Sequence, residues 1–174
     1  IFATVCLLWL RSKGYFKEVN ESHMHDMAKW VFGISMLWSY LWFSQFLLIW
    51  YSNIPEEVTY YIARMFTQYK VPFIGMFFLN FAVPFYVLLA RDAKRNPKFL
   101  IPVCFLIFLG HYTDVYLLVV PGTLHDHAHF GFFEWGSFLG FLGLFIHVTL
   151  RRLASAPLIP VNHPYLEESK ALHY

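Results

Sequence analysis

Four long apolar runs separated by short polar connections organise this 174-residue chain. Ala28 to Tyr51, Val71 to Ala90, Phe99 to Val120 and Phe130 to Leu150 each have the length, about 20 residues, that a helix needs to cross a bilayer's hydrocarbon core. In lipid the backbone N–H and C=O groups must be satisfied within the segment, so each run is read as a helix. The expected fold class is all-α, a polytopic membrane helical bundle of four full transmembrane helices plus the end of a fifth. That fifth element is residues 1–10, an apolar stretch about half the spanning length and without the basic start of a signal peptide. It reads as the end of a truncated transmembrane helix, which makes the chain the C-terminal part of a longer one. Residues 11–152 form the membrane bundle, with helices at about 28–51, 71–90, 99–120 and 130–150. Residues 153–174, with Pro157, Pro160 and Pro164, form a polar, extended tail.

The connection after the first full run begins Ser52-Asn-Ile-Pro-Glu-Glu57. Proline followed by two acids is the signature of a helix start. Val58, Tyr61, Ile62, Met65 and Tyr69 then recur at helical spacing, which predicts a helix over about 55–67 lying on the membrane surface.

Charge sets the orientation. Lysine and arginine number four in 11–29, two in 52–70, four in 91–98 and none in 121–129, with the Arg151-Arg152 pair after the last run. By the positive-inside rule the basic connections and the C-terminus are cytoplasmic, and the Pro-Glu-Glu and histidine connections face outward.

Polar residues inside the runs then acquire depth. The run FLIPVCFLIFLGHYTDVYLLVV carries His111 and Asp114 three residues apart, on one helix face. At about 1.5 Å per residue, Asp114 lies roughly 22 Å and His111 roughly 18 Å from the basic end of the helix. The same count places Glu134 at roughly 24 Å and Gln45 at roughly 25 Å. Ionisable residues at such depth are read by default as functional, and paired acids in low dielectric cannot both stay ionised. His111, Asp114 and Glu134 are therefore the candidate proton relay. The alternative is a set of buried groups that only bond to one another or to Ser and Tyr hydroxyls. Trp38, Trp42, Gln45 and Ile49 share a helix face, and Pro84 is expected to free the carbonyl of Asn80 near mid-membrane.

His147 lies one turn from Arg151 and reads as interfacial, on a level that does not match His111 for a haem held between two helices. His125, His127 and His129 with Asp126 have a spacing that zinc could use, but proton collection or partner contact is the preferred reading, so no metal site is assigned. Cys6 and Cys104 lie in apolar runs without ligand spacing, which leaves no cysteine-ligated iron–sulfur cluster.

Composition agrees with a membrane protein: 58% of residues are hydrophobic and 14% charged, against about 25% charged in a soluble domain. A net charge of +2 gives no reason to expect nucleic acid.

The segment Phe43-Ser-Gln-Phe-Leu-Leu-Ile-Trp-Tyr-Ser-Asn-Ile-Pro-Glu-Glu57 resembles the span-to-loop motif in integral subunits of bacterial alternative complex III, the quinol:cytochrome c oxidoreductase. The His111-Tyr-Thr-Asp114 helix and the histidine loop are similar to the same subunits, and the resemblance covers most of residues 22–152. It implies the fold of the polysulfide reductase membrane subunit, here the C-terminal part of the second quinone-binding subunit. It also implies a bacterial inner-membrane respiratory complex that oxidises quinol, menaquinol or ubiquinol. The partners would be other membrane subunits and outer-face multi-haem cytochrome and iron–sulfur subunits. With a quinone in play, Gln45, Tyr51 and Glu56 are candidate polar lining; this chain itself supplies no ligands for a redox centre. Two other readings stand beside the proton-handling subunit: a structural scaffold of the same complex and an ion-coupled transporter.

Overall fold

A computed structural model describes residues 1–15, 18–124, 131–159 and 162–171. They are helical without a strand among them, and they fall into two compact units, one within 1–124 and the other within 131–171.

The first unit opens with α1, Phe2–Ser12, and then α2, Glu21–Ser52. Helix α2 starts seven residues earlier than the apolar run implies, because a capping box overrides the polar composition of 21–27. Asn20 Oδ1 accepts from the backbone N–H of Ser22 and His23 at 3.0 and 3.1 Å. His23 Nδ1 in return accepts from the Asn20 N–H at 3.3 Å, satisfying donors that a helix start otherwise leaves open. Asn53 ends the helix in the left-handed region at φ 48°, and Ile54 is extended, as the residue before a proline must be. The helix expected after this turn forms as α3, Pro55–Met65, with Pro55 in its first turn.

The second span, Lys70–Leu89, is continuous but not uniform. It is built of α4, Lys70–Phe77, a π-helical turn, Phe78–Ala82, and α5, Val83–Leu89. The disturbance expected from Pro84 takes the form of this wide turn just before it, with the Val83 N–H reaching back to the Phe78 carbonyl. A short α6, Arg91–Arg95, leads to α7, Pro97–Thr123, whose N-terminus is capped by Asn96 Oδ1 on the Lys98 N–H at 3.0 Å. Helix α7 runs three residues past the expected end and carries Pro121 inside it.

The basic end of this unit packs around a conventional apolar core: Leu8 of α1, Met24, Ala28 and Val31 of α2, Leu88 of α5, and Leu100, Val103, Cys104 and Ile107 of α7. Toward the other end aromatic rings take over. Trp42 meets Phe73 and Phe77 at ring-centroid distances of 5.7 and 5.4 Å, and Tyr61 of α3 stands edge-on to Phe46 at 5.3 Å and to Phe73 at 6.1 Å. These contacts seat α3 over the ends of α2 and α4.

The second unit holds α8, Phe132–Ala154, and α9, Leu166–Lys170. The tail expected to be extended thus includes a helical turn, supported by a Lys170–Glu167 ion pair of 2.9 Å. The spans Glu21–Ser52, Lys70–Leu89, Pro97–Thr123 and Phe132–Ala154 are long and apolar enough to cross a membrane, and large hydrophobic residues such as Leu48, Phe105 and Phe141 are exposed on them. Exposure of that kind is stable where lipid replaces water. The protein is an all-α, multi-pass membrane bundle.

Candidate functional site

Two helices bring the polar centre together. Trp38 on α2 donates its indole N–H to Asp114 Oδ2 on α7 at 2.9 Å, a bond between residues 76 positions apart. His111, one turn before Asp114, presents its ring at 81° to the Trp38 indole, with centroids 6.2 Å apart. Trp42, one turn along α2, stacks on Trp38 at 6.2 Å. Asp114 thus has a partner that the sequence reading did not name. The usable signal was Trp38 itself, since a tryptophan away from water seeks an acceptor for its N–H.

A second missed residue is Arg64. It is 4% exposed, and its cationic group lies against α7 rather than against a carboxylate. Its Nε donates to the Leu117 carbonyl at 2.9 Å, its Nη2 to the Leu118 carbonyl at 3.3 Å, and its Nη1 to the Tyr60 carbonyl at 2.8 Å. The guanidinium carbon sits 3.5 Å from the centre of the Tyr60 ring. Leu117 is four residues before Pro121, and proline has no N–H to offer the carbonyl four back. Arg64 supplies the missing donor, so a proline inside α7 and an arginine of α3 form one device.

The phenols beside it respond to burial. Tyr61 is pushed up to about 12 by desolvation, with Tyr60 adding to the rise and Arg64 opposing it. Tyr60 is also raised, chiefly by burial; the Arg64 cation works against the rise and the negative charge of Asp114 adds to it. Asp114 is therefore within electrostatic reach of α3. Burial pulls Arg64 itself below its usual value.

Inward from Asp114, α7 comes unusually close to the π turn. A Cβ added at Gly110 would lie 2.7 Å from Asn80 Cγ and 2.9 Å from Leu79 Cβ, so only glycine fits. Asn80 is fully buried, and both its side-chain nitrogen and its oxygen lack a hydrogen-bond partner. Unsatisfied amides in apolar surroundings are costly and uncommon. Here one lies beside the residue that precedes His111.

Three other sequence candidates of the first unit lie away from the His111–Asp114 pair. Gln45, Tyr51 and Glu56 are exposed, Tyr51 at 88%, and none is brought to His111 or Asp114. Gln45 was grouped with Trp38 and Trp42 by helical spacing, but at its level the inward packing is made by Phe46 on Tyr61. Glu134 belongs to the second unit, where its Oε2 accepts from the Gly131 N–H at 2.8 Å and caps the start of α8. His125, Asp126, His127 and His129 lie outside the described residues. Among the described residues no three His, Cys, Asp or Glu side chains converge on a common point. His147 lines a recess of about 380 Å³ with Arg151 and Arg152 near the end of α8.

Fold and site together define a class: a multi-pass helical membrane protein with a tryptophan-bound carboxylate between two of its spans. No family model matches the chain, and no curated protein matches its sequence.

Proposed function

We propose that this chain is a membrane subunit of a respiratory quinol:cytochrome c oxidoreductase of the alternative complex III type, and that His111 and Asp114 handle protons released in quinol oxidation. The Trp38–Asp114 bond carries the reading. A carboxylate inside a membrane bundle, held by a neutral donor rather than by a cation, can take up and lose a proton without breaking an ion pair. His111 against the same indole supplies a second titratable group one turn away.

In this reading the chain lies in the bacterial cytoplasmic membrane with its basic connections and C-terminus inside. The exposed Gln45, Tyr51 and Glu56 are available to a quinone arriving from the lipid or to the surface of a neighbouring subunit. The haem and iron–sulfur centres belong to outer-face partners. The competing reading is a non-catalytic scaffold, favoured by the capping bond of Glu134, which gives that acid a structural task of its own.

The test is Asp114→Asn, in which the amide oxygen can still accept from Trp38. In membranes, with assembly checked by subunit content, the variant should assemble and lose quinol-linked proton release or turnover. An assembled variant with unchanged turnover and proton release would overturn the proton-handling role in favour of the scaffold.

A further inference from the structure

The second unit carries a basic recess of its own, independent of the proposed proton chemistry. His147, Val148, Arg151, Arg152 and Ser155 line about 380 Å³ at the C-terminal end of α8. That volume lies at the lower end of small-molecule sites, about 300–1,000 Å³. Among the described residues no Asp or Glu lines it.

These cations are not paired. Arg151 and Arg152 enter no ion pair among the described residues. Two acids of the unit are engaged elsewhere: Glu134 caps the opposite end of α8, and Glu167 pairs with Lys170 at 2.9 Å. The Ser155 hydroxyl donates to the Arg152 carbonyl at 2.7 Å, which leaves the two guanidiniums and the His147 imidazole as the donors of the recess.

Residues 132–150 of α8 extend about 28 Å at 1.5 Å per residue, close to the hydrocarbon thickness of about 30 Å. Arg151 and Arg152 then stand at the boundary, the level of lipid phosphates. On the helix face of His147 and Arg151, Gly143, Gly140 and Gly136 follow at helical spacing. A Cβ at any of the three would meet nothing within 4 Å, so this face is a shallow, open groove leading from the recess along the span.

We propose that the recess binds the phosphate of an anionic phospholipid of the phosphatidylglycerol type, with one acyl chain lying in the glycine groove. Arginine suits phosphate because its planar fork donates two parallel hydrogen bonds. The neutral His147 imidazole adds one N–H donor in either tautomer. Without a carboxylate the recess offers no partner to the ammonium of an ethanolamine headgroup, whereas a net negative headgroup complements it. The groove favours a lipid over a free phosphate, because a soluble anion gains nothing from it. If the arginines only offset the helix dipole and anchor the span at the interface, neither a headgroup preference nor a role for the groove follows.

The full chain, purified in detergent with its copurifying partners, is titrated with phosphatidylglycerol, phosphatidylethanolamine or phosphatidylcholine, or with soluble glycerophosphoglycerol. Lipid retained in native mass spectra and the thermal midpoint are the readouts. Phosphatidylglycerol should bind about tenfold more tightly than either zwitterionic lipid. Arg151→Gln with Arg152→Gln, both at exposed positions, should remove that preference. Arg91→Gln with Lys98→Gln, also exposed, takes away the same charge elsewhere and should keep it. Gly140→Leu fills the groove without a clash and should weaken retention of phosphatidylglycerol while leaving glycerophosphoglycerol unaffected. Equal binding of the three lipids by the unaltered protein would overturn the site without recourse to any variant. Equal loss of preference in the two double variants would reduce it to net charge and overturn it as well. Glycerophosphoglycerol binding as tightly as the lipid, or Gly140→Leu retaining the lipid like the parent, would overturn the lipid source.

Discussion

Arg64 Nε lies 2.9 Å from the Leu117 carbonyl, and Leu117 is the residue that Pro121 deprives of its helical hydrogen bond. Helix α3 is thereby tied to the last turns of α7, three residues beyond Asp114. The bond ties the position of α3, and with it Tyr60 and Tyr61, to a defect written into α7.

If Arg64 answers the defect that Pro121 creates, the two positions must be coupled. Arg64→Met should lower stability by about 1–3 kcal/mol, since it leaves the Leu117 carbonyl buried and unpaired. In a Pro121→Ala background, where an N–H is restored, the same substitution should cost measurably less. A double-mutant cycle on thermal unfolding in detergent reads the difference. Costs that add within about 0.5 kcal/mol would show that the arginine stabilises α3 in some other way.

Trp38→Phe keeps the ring packing on Trp42 and removes the donor to Asp114. A hydrogen bond to a charged group contributes about 1.5–3 kcal/mol, and a loss of that order is expected in unfolding measurements. Combined with Asp114→Leu, which removes the acceptor, Trp38→Phe should cost little more. Independent penalties at the two positions would show that the bond contributes nothing to the folded state.

Gly110→Ala should be poorly tolerated although alanine is the better helix former. Its Cβ would stand 2.7 Å from Asn80 Cγ and 2.9 Å from Leu79 Cβ, and overpacking of this kind costs about 1–3 kcal/mol. Asn80→Leu, by contrast, replaces an unpaired amide by an apolar group of similar shape and should leave the thermal midpoint unchanged or raised. A Gly110→Ala protein as stable as the parent would contradict the close approach.

The alkaline limit follows from Tyr61. An unfolded tyrosine titrates near 10, and in the fold this phenol is pushed up to about 12. A raised acid favours its neutral form in the native state, so its contribution is complete below pH of about 10 and is lost as pH rises through about 12. Tyr61→Phe cannot ionise and has no hydrogen-bond partner to lose at its hydroxyl. It should match the parent at neutral pH and resist unfolding to a higher pH. Coincident alkaline transitions for the two proteins would disprove the linkage.

Much of this protein is fixed by one-dimensional pattern. The run lengths define four spans, and the Pro-Glu-Glu start defines the short helix α3, because both depend on local periodicity and on backbone groups that must be satisfied within their own segment. His111 and Asp114 were legible as a pair because i and i+3 share a helix face whatever else surrounds them. The partners of that pair were decided only by the tertiary structure. Whether Trp38 or Gln45 meets Asp114 depends on the rotation and depth of α2 against α7, and helical spacing alone placed both on the same face. In the sequence Arg64 counted only as one of two basic residues in 52–70, and Pro121 only as the first residue of the connection after the third span. Their relation exists only once α3 lies across the end of α7, bringing a donor to a carbonyl 53 residues away in sequence. Asn80 was legible as a polar residue near a proline. Its close approach to Gly110 required the second span to be laid against the third, where the absence of one Cβ lets the backbones come together.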